Sequence, residues 1–132
     1  YDDYAHHPTE INAVINSARQ VHKKRKIVCV FQPHRYSRVK SLKNEFASSF
    51  KCSDTVVLCP VYSAGEKIRY NFNQDNFAKL ISKKSKTQII NIKNQKELKS
   101  YFKKNLLEDE MVICMGAGTI SNWIREIGDE LK

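Results

Sequence analysis

Residues 26–33 read K-I-V-C-V-F-Q-P, and this stretch decides the fold. Ile27, Val28, Val30 and Phe31 form a β-branched and aromatic run with no polar alternation, the pattern of a strand buried on both faces. Pro33 closes it, because proline has no N–H for a ladder. Such a strand needs helices above and below. Reading outward, Asp54–Cys59 (D-T-V-V-L-C), Thr87–Ile92 (T-Q-I-I-N-I) and Met111–Met115 (M-V-I-C-M) repeat the pattern. Helical spacing fills the gaps. Ile11, Val14, Ile15, Ala18 and Val21 make one stripe, and Val39, Leu42, Phe46 and Phe50 another, with Ser37 as its N-cap. Asp75–Lys84 carries Phe77, Leu80 and Ile81, Gln95–Leu107 carries Leu98, Phe102 and Leu106, and Ile120–Leu131 closes the chain. Strands alternating with helices imply right-handed βαβ units. The expected fold class is α/β: a single doubly wound, Rossmann-like domain over residues 1–132, its mostly parallel sheet flanked by helices.

Composition sets the outer bounds. A chain of 132 residues fits one domain with a core of its own. No apolar run approaches the roughly 20 residues needed to cross a bilayer, so no membrane partner is expected. Cys29, Cys52, Cys59 and Cys114 form no C-x-x-C pair, and three lie in strand-like runs, which reads as buried reduced thiols in a cytoplasmic protein. The formal charge of +9 favours polyanionic partners in principle. Lysine runs such as Lys23–Lys24 and Lys83–Lys84 also suit helix C-termini, where cations complement the dipole. Phe31, Phe46, Phe50, Phe77 and Phe102 occupy core positions rather than alternating with cations on a surface, so no nucleic-acid partner is expected. The absence of an initiator Met, with a motif starting at residue 1, gives the expectation of a piece of a longer protein.

Four polar stretches fall at the carboxyl ends of strands or in loops, where doubly wound folds bind ligands. The first is D-D-Y-A-H-H-P-T-E, Asp2–Glu10. Pro8 suits the first helical position and Glu10 the positive helix start, so the cluster sits at a helix mouth able to hold an anion. His6 and His7 point apart as neighbours, and no further ligands complete a metal site; His7 is as well placed to cap the helix. The second stretch is F-Q-P-H-R-Y-S-R, Phe31–Arg38. Arg35 and Arg38, with His34 beside them, make a bidentate clamp for carboxylate or phosphate. An internal ion pair with Asp2, Asp3 or Glu66 is the competing use of the same cations. The third is V-Y-S-A-G-E, Val61–Glu66, opening a loop that runs to Asn73. The fourth is Gly116-Ala117-Gly118. A dinucleotide fingerprint would need its third glycine at Ser121, so NAD is not expected there. The chain also lacks a P-loop and a nucleophile elbow.

These motifs, in this order, resemble the C-terminal domain of the Mur ligases, and within them the alanine-adding branch. D-D-Y-A-H-H-P-T-E and F-Q-P-H-R-Y-S-R are long and specific; V-Y-S-A-G-E and G-A-G-T-I fall where the family has similar segments. The murein-peptide recycling ligases share much of the first motif, with Phe usual at the position of Tyr4, but lack the H-R-Y-S-R run. The resemblance implies ATP-dependent joining of L-alanine to UDP-N-acetylmuramate through an acyl phosphate. ATP and Mg2+ would be held mainly by a central domain, and the sugar nucleotide by an N-terminal one, both outside this chain. L-Alanine, ATP, UDP-N-acetylmuramate and those two domains are the implied partners, and the chain alone is expected to be inactive. By motif position, the resemblance assigns Asp3, Tyr4 and His6 to the nucleotide. It assigns His34, Arg35 and Arg38 to alanine and the developing anion, with His6, His34 and Arg38 closest to the chemistry. Tyr62 and Glu66 would shape the pocket. Thr119 departs from the Asp or Asn that often follows G-A-G in the family, which leaves that turn's contact open.

Overall fold

A computed structural model of the chain describes residues 2–3, 7–63, 65, 73–105, 110–116 and 119–131. The central strand is β2 (Ile27–Phe31), all five residues of which are buried. Beside it run β3 (Thr55–Leu58), then β4 (Gln88–Asn91). On its other side lie β5 (Met111–Met115) and the short β1 (Asp2–Asp3). Among the described residues the order is β1-β5-β2-β3-β4, and every pairing is parallel. The expected strands are all present. β1 was not expected, since two aspartates carry low strand propensity and only the neighbouring β5 recruits them.

Parallel strands need crossovers, and these cover both faces. Cys29, Phe31, Val56, Leu58, Ile113 and Met115 point to one face, where α1 (Pro8–Val21), α3 (Lys43–Ala47) and α4 (Gln74–Ser85) supply Ile11, Ile15, Phe46, Phe77 and Ile81. Phe31 meets Phe46 and Phe50 at ring-centroid distances of 5.7 and 5.3 Å. Val28, Val30, Val57, Cys59 and Cys114 point the other way, under α5 (Gln95–Asn105) and α6 (Ile120–Leu131) with Leu98, Phe102, Ile120 and Ile127. The alternation of odd and even positions along β2 is therefore the division between two cores. Cys29, Cys59 and Cys114 are buried free thiols, and burial pushes Cys29 up to about 12.

The second amphipathic stripe departs from expectation. One continuous helix capped by Ser37 was expected, whereas two short helices form: α2 (Tyr36–Ser41) and α3, meeting at Leu42 with φ −115°. Ser37 lies inside α2, whose N-cap is Arg35. On either side of the break at Leu42, Val39, Phe46 and Phe50 all remain buried in the same core cluster.

At the end of the sheet where β2 and β3 begin, Arg19 ties three elements together. Its guanidinium donates to the Cys52 and Arg25 carbonyls and to Asp54 Oδ2 at 2.7 Å, and the Ile27 N–H donates to the same oxygen at 2.8 Å. Burial alone would raise the Asp54 carboxyl, but the Ile27 amide and the Arg19 guanidinium outweigh it and hold it below the usual aspartate range.

Candidate functional site

The strand order reverses between β2 and β5: the chain steps from β2 to β3 on one side, and β5 is added on the other. That reversal opens a crevice at the carboxyl ends of the strands, where α/β folds hold ligands. At that reversal a side-chain amide bonds to the start of α6. Gln32, 3% exposed, accepts the Ile120 N–H of α6 through Oε1 at 2.9 Å and donates through Nε2 to Thr119 Oγ1 at 3.0 Å. The Ile120 N–H, one of the helix-start groups that could otherwise face an anion, is thus served by a side-chain amide. Gly116 permits this fit: a Cβ there would lie 2.8 Å from Ile120 Cγ2 and 3.1 Å from the Gln32 carbonyl oxygen. Thr119 makes its contact with Gln32. The role of Gln32 was missed from sequence; the available signal was a lone amide ending a strand otherwise buried on both faces.

One strand over, the described rim carries His34, Arg35 and Arg38. β2 and β3 extend beyond their ladder through two backbone bonds, Tyr62 N–H to the Pro33 carbonyl at 2.8 Å and Arg35 N–H to the Tyr62 carbonyl at 2.7 Å. His34 and Tyr62 form a parallel bridge, their rings 5.6 Å apart and inclined at 31°. Arg35 is held at φ +68°, ψ 129°, a region that L-residues rarely enter, and its side chain is exposed. Arg38 follows one turn into α2 and is half-buried. Its Nη1 is shielded from solvent and has no hydrogen-bond partner among the described residues. A buried guanidinium nitrogen in that state is destabilising by roughly 1–3 kcal/mol. A carboxylate or phosphate oxygen seated against it removes that cost and adds a charge-assisted bond. The structure thus brings His34, Arg35 and Tyr62 together, with Arg38 one turn behind.

The first motif enters the same rim from the far side of β5. Asp3 lies opposite Met115, one residue before Gly116. His7 caps α1: its Nδ1 accepts the Thr9 N–H at 3.2 Å, while Glu10 Oε1 accepts the His7 N–H at 3.2 Å. Pro8 takes the first helical position, so this ring serves the helix start. Tyr4, His6, Glu66, Ala117 and Gly118 lie outside the described residues, as does the side chain of Asp3. Among the described residues, no three His, Cys, Asp or Glu side chains gather as a metal site.

A parallel sheet with helices on both faces, with a side-chain amide bonded to the start of α6 at its reversal point and an arginine pair on the adjoining rim, defines a Rossmann-like α/β domain. The profile of the family described as Mur ligase, glutamate ligase domain, matches residues 1–118, and the chain belongs to that family. It is 50% identical over 127 residues to the UDP-N-acetylmuramate–L-alanine ligase of Pelagibacter ubique and 40% identical over 132 residues to that of Fusobacterium nucleatum. The matches cover 96% and 99% of the chain but 27% of each relative, so the chain spans about a quarter of their length. Among solved structures, the UDP-N-acetylmuramate-alanine ligase of Thermotoga maritima superposes with a TM-score of 0.69 at 27% identity, over 97% of this chain and 25% of that one. A murein peptide ligase from Psychrobacter arcticus superposes at 0.74 with only 13% identity, over 97% of this chain and 26% of that one, and so shares the fold.

Proposed function

We propose that this chain is the C-terminal domain of an ATP-dependent ligase that joins L-alanine to UDP-N-acetylmuramate in cytoplasmic peptidoglycan precursor synthesis. The observation that carries the reading is the 50% identity to a curated alanine ligase across 96% of the chain. The shared fold does not choose between alanine and peptide addition, because a murein peptide ligase superposes as well. The sequence relatives favour alanine.

In this reading the domains ahead of the chain hold the sugar nucleotide, ATP and Mg2+, and the lactyl carboxylate is activated as an acyl phosphate. The chain's own residues position the amine component. Arg38 presents a buried N–H to the alanine carboxylate, and the chemistry fits, because that nitrogen has no hydrogen-bond partner among the described residues. Arg35, exposed at the mouth, offers a second fork for the carboxylate or for charge developing on the attacked carbonyl. His34 lies beside them against Tyr62, which with Glu66 bounds the pocket. Asp3, Tyr4 and His6 close over the nucleotide. The contribution is orientation and electrostatic stabilisation, so the isolated chain does not ligate. The aromatic side chains that a nucleic-acid binder would display are spent in the core: Phe31, Phe46, Phe50 and Phe77 are fully buried and Phe102 nearly so.

Phosphate release by the full-length protein with ATP, Mg2+ and UDP-N-acetylmuramate tests the reading. Release on adding L-alanine supports it. Release only on adding the murein tripeptide reassigns the protein to peptide recycling, and release with neither removes the ligase reading.

A further inference from the structure

Arg35 sits at φ +68°, and a strained backbone of that kind persists only where its surroundings over-determine it. On the β3 side the anchor is Tyr62, whose N–H donates to the Pro33 carbonyl at 2.8 Å and whose own carbonyl accepts the Arg35 N–H at 2.7 Å. On the β5 side the anchor is Gln32. Its N–H donates to the Met115 carbonyl at 3.0 Å, and its side chain is bonded to Thr119 Oγ1 at 3.0 Å and to the Ile120 N–H at 2.9 Å. Only Pro33 separates Gln32 from His34. The proline ring fixes φ at about −65°, so a tilt at Gln32 passes to His34 and Arg35 with little loss.

The anchor has no slack. Gly116 lies so close that a Cβ there would come within 3.3 Å of Gln32 Cβ and 2.8 Å of Ile120 Cγ2. The Ile120 N–H can only donate, so it takes Oε1 and leaves Nε2 for the Thr119 hydroxyl. Two bonds to opposite ends of the amide fix its plane as well as its place. We propose that Gln32, oriented by Thr119, is a positioning residue for the clamp of His34 and Arg35. Acting through Pro33, it sets where the Arg35 guanidinium meets the carboxylate of the incoming amino acid. The inference rests on the reading of this chain as the part of a ligase that positions L-alanine. A misplacement of about 1 Å can cost on the order of a hundredfold in rate, so loosening this anchor impairs use of the amino acid. The sugar nucleotide, held ahead of this chain in the same reading, is left unaffected.

Steady-state phosphate release by the full-length protein, with L-alanine and UDP-N-acetylmuramate varied in turn, separates positioning from folding. Thr119→Val keeps the side-chain shape and removes the hydroxyl, Thr119→Ser keeps the hydroxyl, and Gln32→Leu removes both side-chain bonds. The expected result is a KM for L-alanine raised about fivefold or more in Thr119→Val, raised further in Gln32→Leu and near wild type in Thr119→Ser. The KM for UDP-N-acetylmuramate stays unchanged in all three. A purely structural role moves neither KM, because a smaller folded fraction lowers only the maximal rate. The proposal is overturned by a lower maximal rate with both KM values kept, by unchanged kinetics in Thr119→Val, by a parallel rise in both KM values, or by no rescue in Thr119→Ser. Should Gln32→Leu not fold, the two Thr119 variants decide alone. A wild type that releases no phosphate with L-alanine removes the ligase reading and the proposal with it, whereas an active wild type whose variants keep its KM for L-alanine removes the proposal alone.

Discussion

Arg38 and Arg35 are three residues apart and make opposite demands on the fold. Arg38 carries a shielded nitrogen with no bond among the described residues, and the stabilisation that a ligand would supply there is largest where water is excluded. In the full-length enzyme, Arg38→Ala is expected to raise KM for L-alanine or lower kcat/KM by at least tenfold, about 1.4 kcal/mol; unchanged steady-state kinetics would remove it from the site. Arg35 instead stores strain in its backbone, pinned at φ +68° by the Tyr62 carbonyl. Arg35→Gly is expected to raise the stability of the chain by about 1 kcal/mol while Arg35→Ala gains none, a contrast read from urea midpoints. The arginine pair and His34 were legible as a clamp from residue type and spacing alone. The strain was not, because it arises from a bond to Tyr62, 27 positions further along the chain, which no local pattern announces.

At the scale of elements, two tethers do more than the helices' own propensities. Asp54 joins the start of β2 to α1 through Ile27 and Arg19. Its carboxyl is held below the usual range in the folded chain, so the unfolded chain binds its proton first as pH falls. The stability it contributes is fully present above the unfolded value of about 3.9 and is lost as pH drops through the lower folded value. Urea melts of wild type and Asp54→Asn are therefore expected to differ by a constant amount at neutral pH and to converge in strong acid. Gln32 joins β2 to α6 in the same way. Gln32→Leu keeps the volume but strands the buried Ile120 N–H, an expected loss of about 1–3 kcal/mol in a denaturation midpoint. Most strands and helices were readable because unbroken runs such as I-V-C-V-F admit few alternatives. The exceptions have physical causes: β1 exists only because β5 offers an edge, and α2 and α3 separate at Leu42, where the apolar spacing looks continuous.

For the whole molecule, the parallel order β1-β5-β2-β3-β4 sets Asp3, Gln32, Tyr62 and Gly116, described members of the four motifs, at the carboxyl ends of the strands. Topology rules anticipate that placement; the Gln32 bond to Ile120 is a tertiary contact that they do not. Gln32 already bonds the Ile120 N–H at the reversal point, so among the described residues that N–H is not left for a phosphate. Thermal unfolding of the chain is accordingly expected to be insensitive to added ATP, and a midpoint rising with ATP concentration would show a nucleotide seat within it. The Gln32 tie has a wider consequence. A helix start bonded to a side chain of its own polypeptide relies on a partner that dilution cannot remove, whereas one capped by a dissociable ligand holds only while that ligand is abundant.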